Sequence, residues 1–383
     1  MIIKNGLIND AVQREAFVAD ILIENGKIKA IGKDLAPQNG EEIIDASGKE
    51  IYPGFVEAHC HIGISGRPGQ GANGSDVNER NDVTTPHLRA IDGIDPFDEN
   101  FENARRGGVT TVCTGPGSLN AIGGTFVCLK TVGKCVDNMI LKDEVAMKCA
   151  FGENVIGGYG GKSVATRMTV AAVIRDILAK ANRYKMAIDQ AEGDVSKYPA
   201  FDSKLHALLP VMRREIPLKA HAHQAKDIFT AIRIAKEFDL KLTIEHVTDG
   251  HLIVDELLES GYPLAIGPSM TNNLKYEMKN RSWETIVSLS KAGCHVCIIT
   301  DSPVMIQKNL PIAAGFAIKA GMDKFEALKA ITIYAAEHIG VEDRVGSIEV
   351  GKDADIVIAD GSPFEISTKI EKVLIDGKVV AEN

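Results

Sequence analysis

The sequence has no basic cluster to offset its surplus of acids. With 43 Lys and Arg against 52 Asp and Glu, the formal net charge is −9, which argues against a nucleic-acid partner. It has no apolar run long enough to span a bilayer, and its first residues, MIIKNGLIND, lack the layout of a signal peptide. The expectation is a cytoplasmic protein without a membrane partner. It has no G-x-G-x-x-G after the first strand-like segment, which disfavours an open doubly wound sheet. The stretch GGYGGKSVATRMTV falls one residue short of a phosphate loop, because Ile156 stands where that loop needs glycine. Nor does cysteine offer a framework. Seven cysteines (60, 113, 128, 135, 149, 294 and 297) are an odd count in apolar, strand-like surroundings, so free buried thiols are expected. Cys294 and Cys297 form the one Cys-x-x-Cys and lack a second ligand pair, so they read as packing residues.

What is present is an ordered alternation. At 383 residues, 45% hydrophobic and 25% charged, the chain has the composition of a soluble globular protein large enough for one big domain and a smaller one. Apolar runs bounded by turn residues predict strands over 54–62, 109–115, 125–132, 145–152, 216–223, 240–247, 262–269 and 295–302. Between the later ones lie amphipathic helices. In 226–239, Ile228, Ile232, Ala235 and Phe238 fall on one face, and the helical patterns 251–261 and 282–293 end near glycine. Eight strands alternating with helices predict an α/β fold, a parallel (β/α)8 TIM-like barrel, over residues 51–344. The two ends have a different texture of short strand-like runs and turns. Residues 1–50 and 345–383 are expected to combine into one small β-sandwich domain with the barrel inserted between its halves.

In a strand, side chains at i and i+2 share a face. His59 and His61 in EAHCHIG therefore project together, as do His221 and His223 in HAHQ. His246 in TIEHVTDG and Asp301 in CIITDSP also close apolar runs and open polar loops. Strand C-termini line the active-site mouth of a barrel, and imidazole with carboxylate at converging strand ends is a donor set for a divalent cation such as zinc. A lone histidine at a strand end is more often a hydrogen-bonded filler. The joint placement at candidate strands 1, 5, 6 and 8 is what favours a metal site.

Taken together, PGFVEAHCHIG, HAHQ, IEHVTDG, IITDSP and the tail DRVGSIEVGKDADIVI resemble the amidohydrolase superfamily, in particular its imidazolonepropionase-like branch. The resemblance covers nearly the whole chain. Members usually carry Asp two residues before the first histidine of the pair, where this chain has Glu57. The resemblance implies that His221 is a ligand and His223 a pocket residue. It implies a metal set of His59, His61, His221, His246 and Asp301, with one or two divalent ions, zinc foremost. A second ion would need a bridging ligand on the fourth strand, for which VAMKCAFGENV offers Lys148, as a carbamate, or Glu153. Glu153 stands nearer the strand's C-terminal end and is preferred on that criterion, with Lys148 the alternative. Gln224 occupies the place of a catalytic Glu in cytosine-deaminase-like relatives, and an amide cannot shuttle a proton as that carboxylate does.

The expected function is hydrolysis of a C–N bond, in an amide or cyclic amide, by a metal-activated water. Asp301 would act as base, and the metal, His246 or His223 would polarise the carbonyl. Deamination of a heterocycle is the alternative, and a non-catalytic binding descendant a more distant one. His87, Tyr159, Lys162 and Arg167 are candidate substrate-binding residues, and the Gly-rich loop 65–87 a candidate lid. A small-molecule substrate is the expected partner, and a homodimer is a possible assembly. The histidines at 206, 251, 295 and 338 show no supporting pattern.

Overall fold

The computed structural model describes every residue except 38, 39, 41, 67–73, 273 and 274. The strands fall into two sheets. From the start of the chain come β1 (Ile2–Ile8), β2 (Phe17–Glu24), β3 (Lys27–Gly32), β4 (Ile43–Asp45) and β5 (Glu50–Pro53). The barrel strands are β6 (Phe55–Cys60), β7 (Val109–Thr114), β8 (Ile122–Lys130), β9 (Ile140–Ala150), β10 (Leu218–Ala222), β11 (Leu242–His246), β12 (Leu264–Ile266) and β13 (Val296–Ile298). The chain then returns to the first sheet through β14 (Ile356–Ala359), β15 (Ile370–Ile375) and β16 (Lys378–Glu382).

All eight expected barrel strands are present, in the sheet order of the chain. One runs the other way: β8 is antiparallel to both β7 and β9. Only residues 115–121 join β7 to β8, fewer than the dozen or so that a crossover between parallel strands needs. The expected alternation of strand and helix therefore fails at β7–β9, which form a meander. From β9 onward the crossovers are helical. The helix Ala225–Glu237 buries Ile228, Ala231, Ile232 and Ala235 against the barrel. The helices Val254–Ser260 and Glu284–Ala292 each stop at a left-handed glycine, Gly261 (φ 67°) and Gly293 (φ 90°), a conformation that costs a residue with a Cβ.

Among the described residues β13 and β6, the two ends of the barrel sheet, share no strand ladder. Side-chain and loop bonds close this seam. The fully buried Glu57 carboxylate of β6 accepts from the Thr300 backbone N–H (2.9 Å), the Thr300 hydroxyl (2.5 Å) and Gln307 Nε2 (2.8 Å), and His61 N–H donates to Ser302 O (2.8 Å). Burial pushes the Glu57 pKa up to about 7, against the pull of these donors.

The second sheet takes strands from both termini in the order β16-β15-β14-β5-β1-β2-β3, with β4 alongside β1. It curls around a core rich in isoleucine, including Ile3, Ile21, Ile28, Ile51 and Ile356. No helix among the described residues is long and apolar enough to cross a membrane. The two sheets are tied by Lys130, which the reversed β8 delivers to the end of the barrel away from the other strands' C-termini. Its nearly buried ammonium lies 2.7 Å from Asp355 and 3.1 Å from Asp353. Asp353 is also held by Lys27 and Arg344, at 2.9 and 2.8 Å. Lys130→Met leaves the buried Asp355 without its cation, while Asp353 keeps Lys27 and Arg344, and is expected to destabilise the fold by about 3–5 kcal/mol, read as a fall in the urea midpoint.

Candidate active site

The chemistry-bearing side chains meet at the C-terminal ends of the parallel strands. His59 is near the end of β6 and His61 just beyond it, Lys148 near the end of β9, His221 within β10, His246 the last residue of β11, and Asp301 a few residues past β13. Asp301 Oδ1 lies 3.1 Å from His61 Nε2 and 3.6 Å from His59 Nε2. Two groups of potential ligand atoms, His59–His246–Asp301 and His221–His223–His246, each fall within 4.8 Å of one another. His246 belongs to both and so joins the two halves of the site.

Strand alternation alone would not put His246 there. Its neighbour Glu245 already points into the barrel, where it accepts from Thr243 Oγ1 (2.8 Å) and His59 Nδ1 (3.1 Å). The next residue of a regular strand would face outward. A left-handed backbone at His246 (φ 75°) turns the chain so that this side chain also reaches the site, and Asp301 is left-handed too (φ 52°). Such conformations cost non-glycine residues about 1–3 kcal/mol each and cluster at functional sites.

The imidazoles are anchored by one nitrogen and present the other. His59 Nδ1 donates to Glu245 Oε2, His61 Nδ1 to Gly115 O (2.7 Å) and His246 Nδ1 to Gly267 O (2.7 Å). His223 Nδ1 is bonded to Thr248 Oγ1 at 2.7 Å. These bonds leave Nε2 as the lone-pair atom on His59 and His246, as ligating histidines require, while His61 Nε2 faces Asp301 Oδ1. His246 Nε2 and His221 Nδ1 are buried without a hydrogen-bond partner, an arrangement that a bound cation satisfies. The donor set therefore fits a divalent metal.

Electrostatics point the same way. Burial, with neighbouring positive charge, holds His59, His221 and His223 well below the ordinary imidazole pKa, and burial brings His246 down to about 4. The rings are thus neutral ligands at neutral pH. Burial would raise the Asp301 pKa, but the bond to His61 and the adjacent imidazoles keep it well below the usual carboxylate range.

Two lysines lie inside the barrel in register, Lys148 of β9 opposite Lys219 of β10, and both ammonium groups sit over the Phe126 ring. Their partners differ. Lys219 pairs with Glu245 Oε2 at 3.0 Å, whereas Lys148 Nζ donates to His59 Nε2 at 3.3 Å and pairs with no carboxylate among the described residues. Burial brings the Lys148 pKa down to about 8.

The remaining candidates sort differently from the expectations. Glu153 is part-exposed at the start of a short helix, with Arg167 3.9 Å away, and it belongs to neither potential ligand group. It lies beyond β9, past a Gly152 of φ 88°, where strand parity no longer aims a side chain inward. Arg167 bonds to Asp227 and, at 3.1 Å, to Gln224 Oε1. Tyr159 is buried, and its hydroxyl donates to loop carbonyls of Glu79 (2.8 Å) and Asp82 (2.6 Å) rather than facing a cleft. Lys162 and His87 are exposed, with no contact to the histidine cluster. Part of the candidate lid, residues 67–73, lies outside the described residues.

Four residues that the sequence reading passed over belong here. Glu245 holds His59, and its other oxygen accepts from His338 Nε2 (2.8 Å), a histidine with no pattern around it. Glu277, fully buried, lies 4.0 Å from His221 Nε2 and 3.9 Å from His223 Nε2. Lys275 Nζ donates to Glu277 Oε1 (3.0 Å) and to Asn154 Oδ1 (2.9 Å). Glu245 stands directly before the predicted His246, in a strand whose parity aims it inward; that signal was available. Lys275, Glu277 and His338 arrive from distant segments and had none.

Glu245→Gln keeps the shape but not the charge that orients His59. Divalent-metal affinity, measured by competition with a chromophoric chelator, is expected to fall about 10–100-fold.

Comparison with known proteins agrees with this geometry. The solved amidohydrolase of Thermotoga maritima MSB8 superposes with a TM-score of 0.96 at 39% identity, covering 100% of both chains. A dihydroorotase of Aquifex aeolicus is 26% identical over 94% of this chain and 89% of its own length. The amidohydrolase tasK of Hapsidospora irregularis is 28% identical over 94% of this chain, which spans 40% of that longer protein. Residues 51–380 match the amidohydrolase family, and the chain belongs to it.

Proposed function

We propose that this protein is a metal-dependent hydrolase of an amide or cyclic amide, cleaving the C–N bond with water as nucleophile. The observation that carries the reading is Asp301 Oδ1, placed 3.1 and 3.6 Å from Nε2 of His61 and His59. His59, His61 and Asp301 would hold one cation and His221 and His246 a second, with zinc suited to neutral imidazole and carboxylate donors. A bound cation of this kind polarises a carbonyl and lowers the pKa of water from 15.7 towards ~7.

The chain's own groups do the rest. Asp301, kept ionised by its neighbours, accepts the proton of the attacking water and delivers it to the leaving nitrogen. His223, anchored through Nδ1 to Thr248, directs its ring into the pocket, where it can orient the substrate carbonyl. Lys148 would be the bridging residue in this reading, in preference to Glu153, because it lies against His59 and pairs with no carboxylate among the described residues. Its neutral amine would add to carbon dioxide, forming an N–C bond and releasing a proton, and the resulting carbamate would give the site a further carboxylate-like donor. Gln224 is held by Arg167, which weighs against its acting as a proton shuttle and so against deamination of the cytosine-deaminase type.

Protein purified without chelator is expected to carry two divalent ions per chain by elemental mass spectrometry, falling to one or none in Lys148→Ala and unchanged in Glu153→Ala. Retention of both ions in Lys148→Ala would remove Lys148 from the site. On a panel of lactams, hydantoin-like rings and N-acyl amino acids, Asp301→Asn is expected to lower kcat by about 10²–10⁴-fold. Ammonia release from a heterocycle without cleavage of any amide would move the assignment to deamination. Absence of both metal and hydrolysis would overturn it.

A further inference from the structure

One cation beside the histidine cluster has no part in the mechanism above. Lys275 lies in the loop after β12, and its side chain is 26% exposed, while that of its partner Glu277 is 1% exposed. Two of the three ammonium donors are committed, to Glu277 Oε1 at 3.0 Å and Asn154 Oδ1 at 2.9 Å. Asn154 in turn reaches His221 Nε2 at 3.4 Å. The ammonium is therefore one side chain removed from His221, held by the buried Glu277 and the half-buried Asn154, with its third donor uncommitted among the described residues and solvent able to reach it. After burial and the neighbouring imidazoles, its charge is among the influences that depress the His221 and His223 pKa values, so its field acts within the cluster.

Glu277 makes this placement specific. Its Oε1 holds Lys275, and its Oε2 accepts from the Glu153 backbone N–H at 2.9 Å, fixing the loop after β12 to the helix start after β9. A lysine placed only for solubility would not be tethered to a buried carboxylate beside two histidines. Arg167, the other cation nearby, is already engaged with Asp227 and Gln224.

Resting on the hydrolase reading above, we propose that Lys275 is a specificity-determining residue that pairs with a carboxylate on the substrate, so that the preferred substrates are N-acyl amino acids, dipeptides or carboxylated cyclic amides. The carboxylate lies against Lys275 while the scissile carbonyl lies at the histidines, and the ammonium acts as a point charge rather than a proton donor.

The test compares a panel of N-acyl amino acids with the corresponding primary carboxamides on the metal-loaded protein, by calorimetric titration and by KM where hydrolysis is seen. The acids are expected to bind at least tenfold more tightly than their amides. In Lys275→Met that ratio is expected to fall to within twofold of one, and in Lys275→Arg to be largely retained, with metal content the same in all three. Equal affinity for acid and amide in the unaltered protein overturns the proposal, as does a preference that survives in Lys275→Met or binding of neither class. The hydrolase reading is judged apart from this, on metal content and the opening of uncharged lactams.

Discussion

Inside the barrel a carboxylate with no accessible surface, Glu245, accepts from Lys219, His338, Thr243 and His59. Burying an ion is costly unless its charge is matched and its oxygens are satisfied, and each partner here comes from a different stretch of chain. Lys219 comes from the neighbouring strand β10, His338 from the helix Ile333–Ile339, and His59 from β6 across the barrel. The carboxylate thus fixes the orientation of one histidine of the cluster and at the same time secures the helix that carries His338. Lys148 is the counterpoint: a second buried amine in register with Lys219 that pairs with no carboxylate among the described residues.

The site is assembled by several devices instead of one repeated motif. Regular alternation aims His59 and His221 inward, whereas His246 depends on a left-handed turn out of the strand. The seam between β6 and β13 is spanned by Glu57, two residues before His59, which bonds the segment leading to Asp301. The same carboxylate therefore sets the spacing between the first-strand histidines and the eighth-strand aspartate.

Much of this was legible in sequence. Apolar runs punctuated by turn residues located every barrel strand, because burial on both faces enforces a continuous apolar composition. The i, i+2 histidines and the polar residues closing strands 6 and 8 located the cluster. The apolar run of β8 does not disclose its direction, which is antiparallel to β7 and β9; only the short link 115–121 carries that information. Nearness to the strand end points to Glu153 over Lys148, but that criterion does not say which face a residue takes. Lys148 shares parity with Ala146 within β9 and Glu153 lies outside the strand. Lys275, Glu277 and His338 were invisible for a different reason. Their roles arise from contacts across more than fifty residues of chain, and a single charged residue in a loop has no local signature of such a contact.

The sheet shared by the two termini has a consequence for how the molecule is made. Strand β5 pairs with β14, so its neighbour in the sheet lies about 300 residues later in the chain. During synthesis β1 to β5 emerge with that edge open and their isoleucine core half covered, and they wait for the whole barrel to be translated. Pairing between such distant segments is intrinsically slow, so completion of this sheet is the natural last step of folding. The Lys130 contact with Asp353 and Asp355 then forms only when the segment leading into β14 has docked against the barrel strand β8, so it follows the barrel.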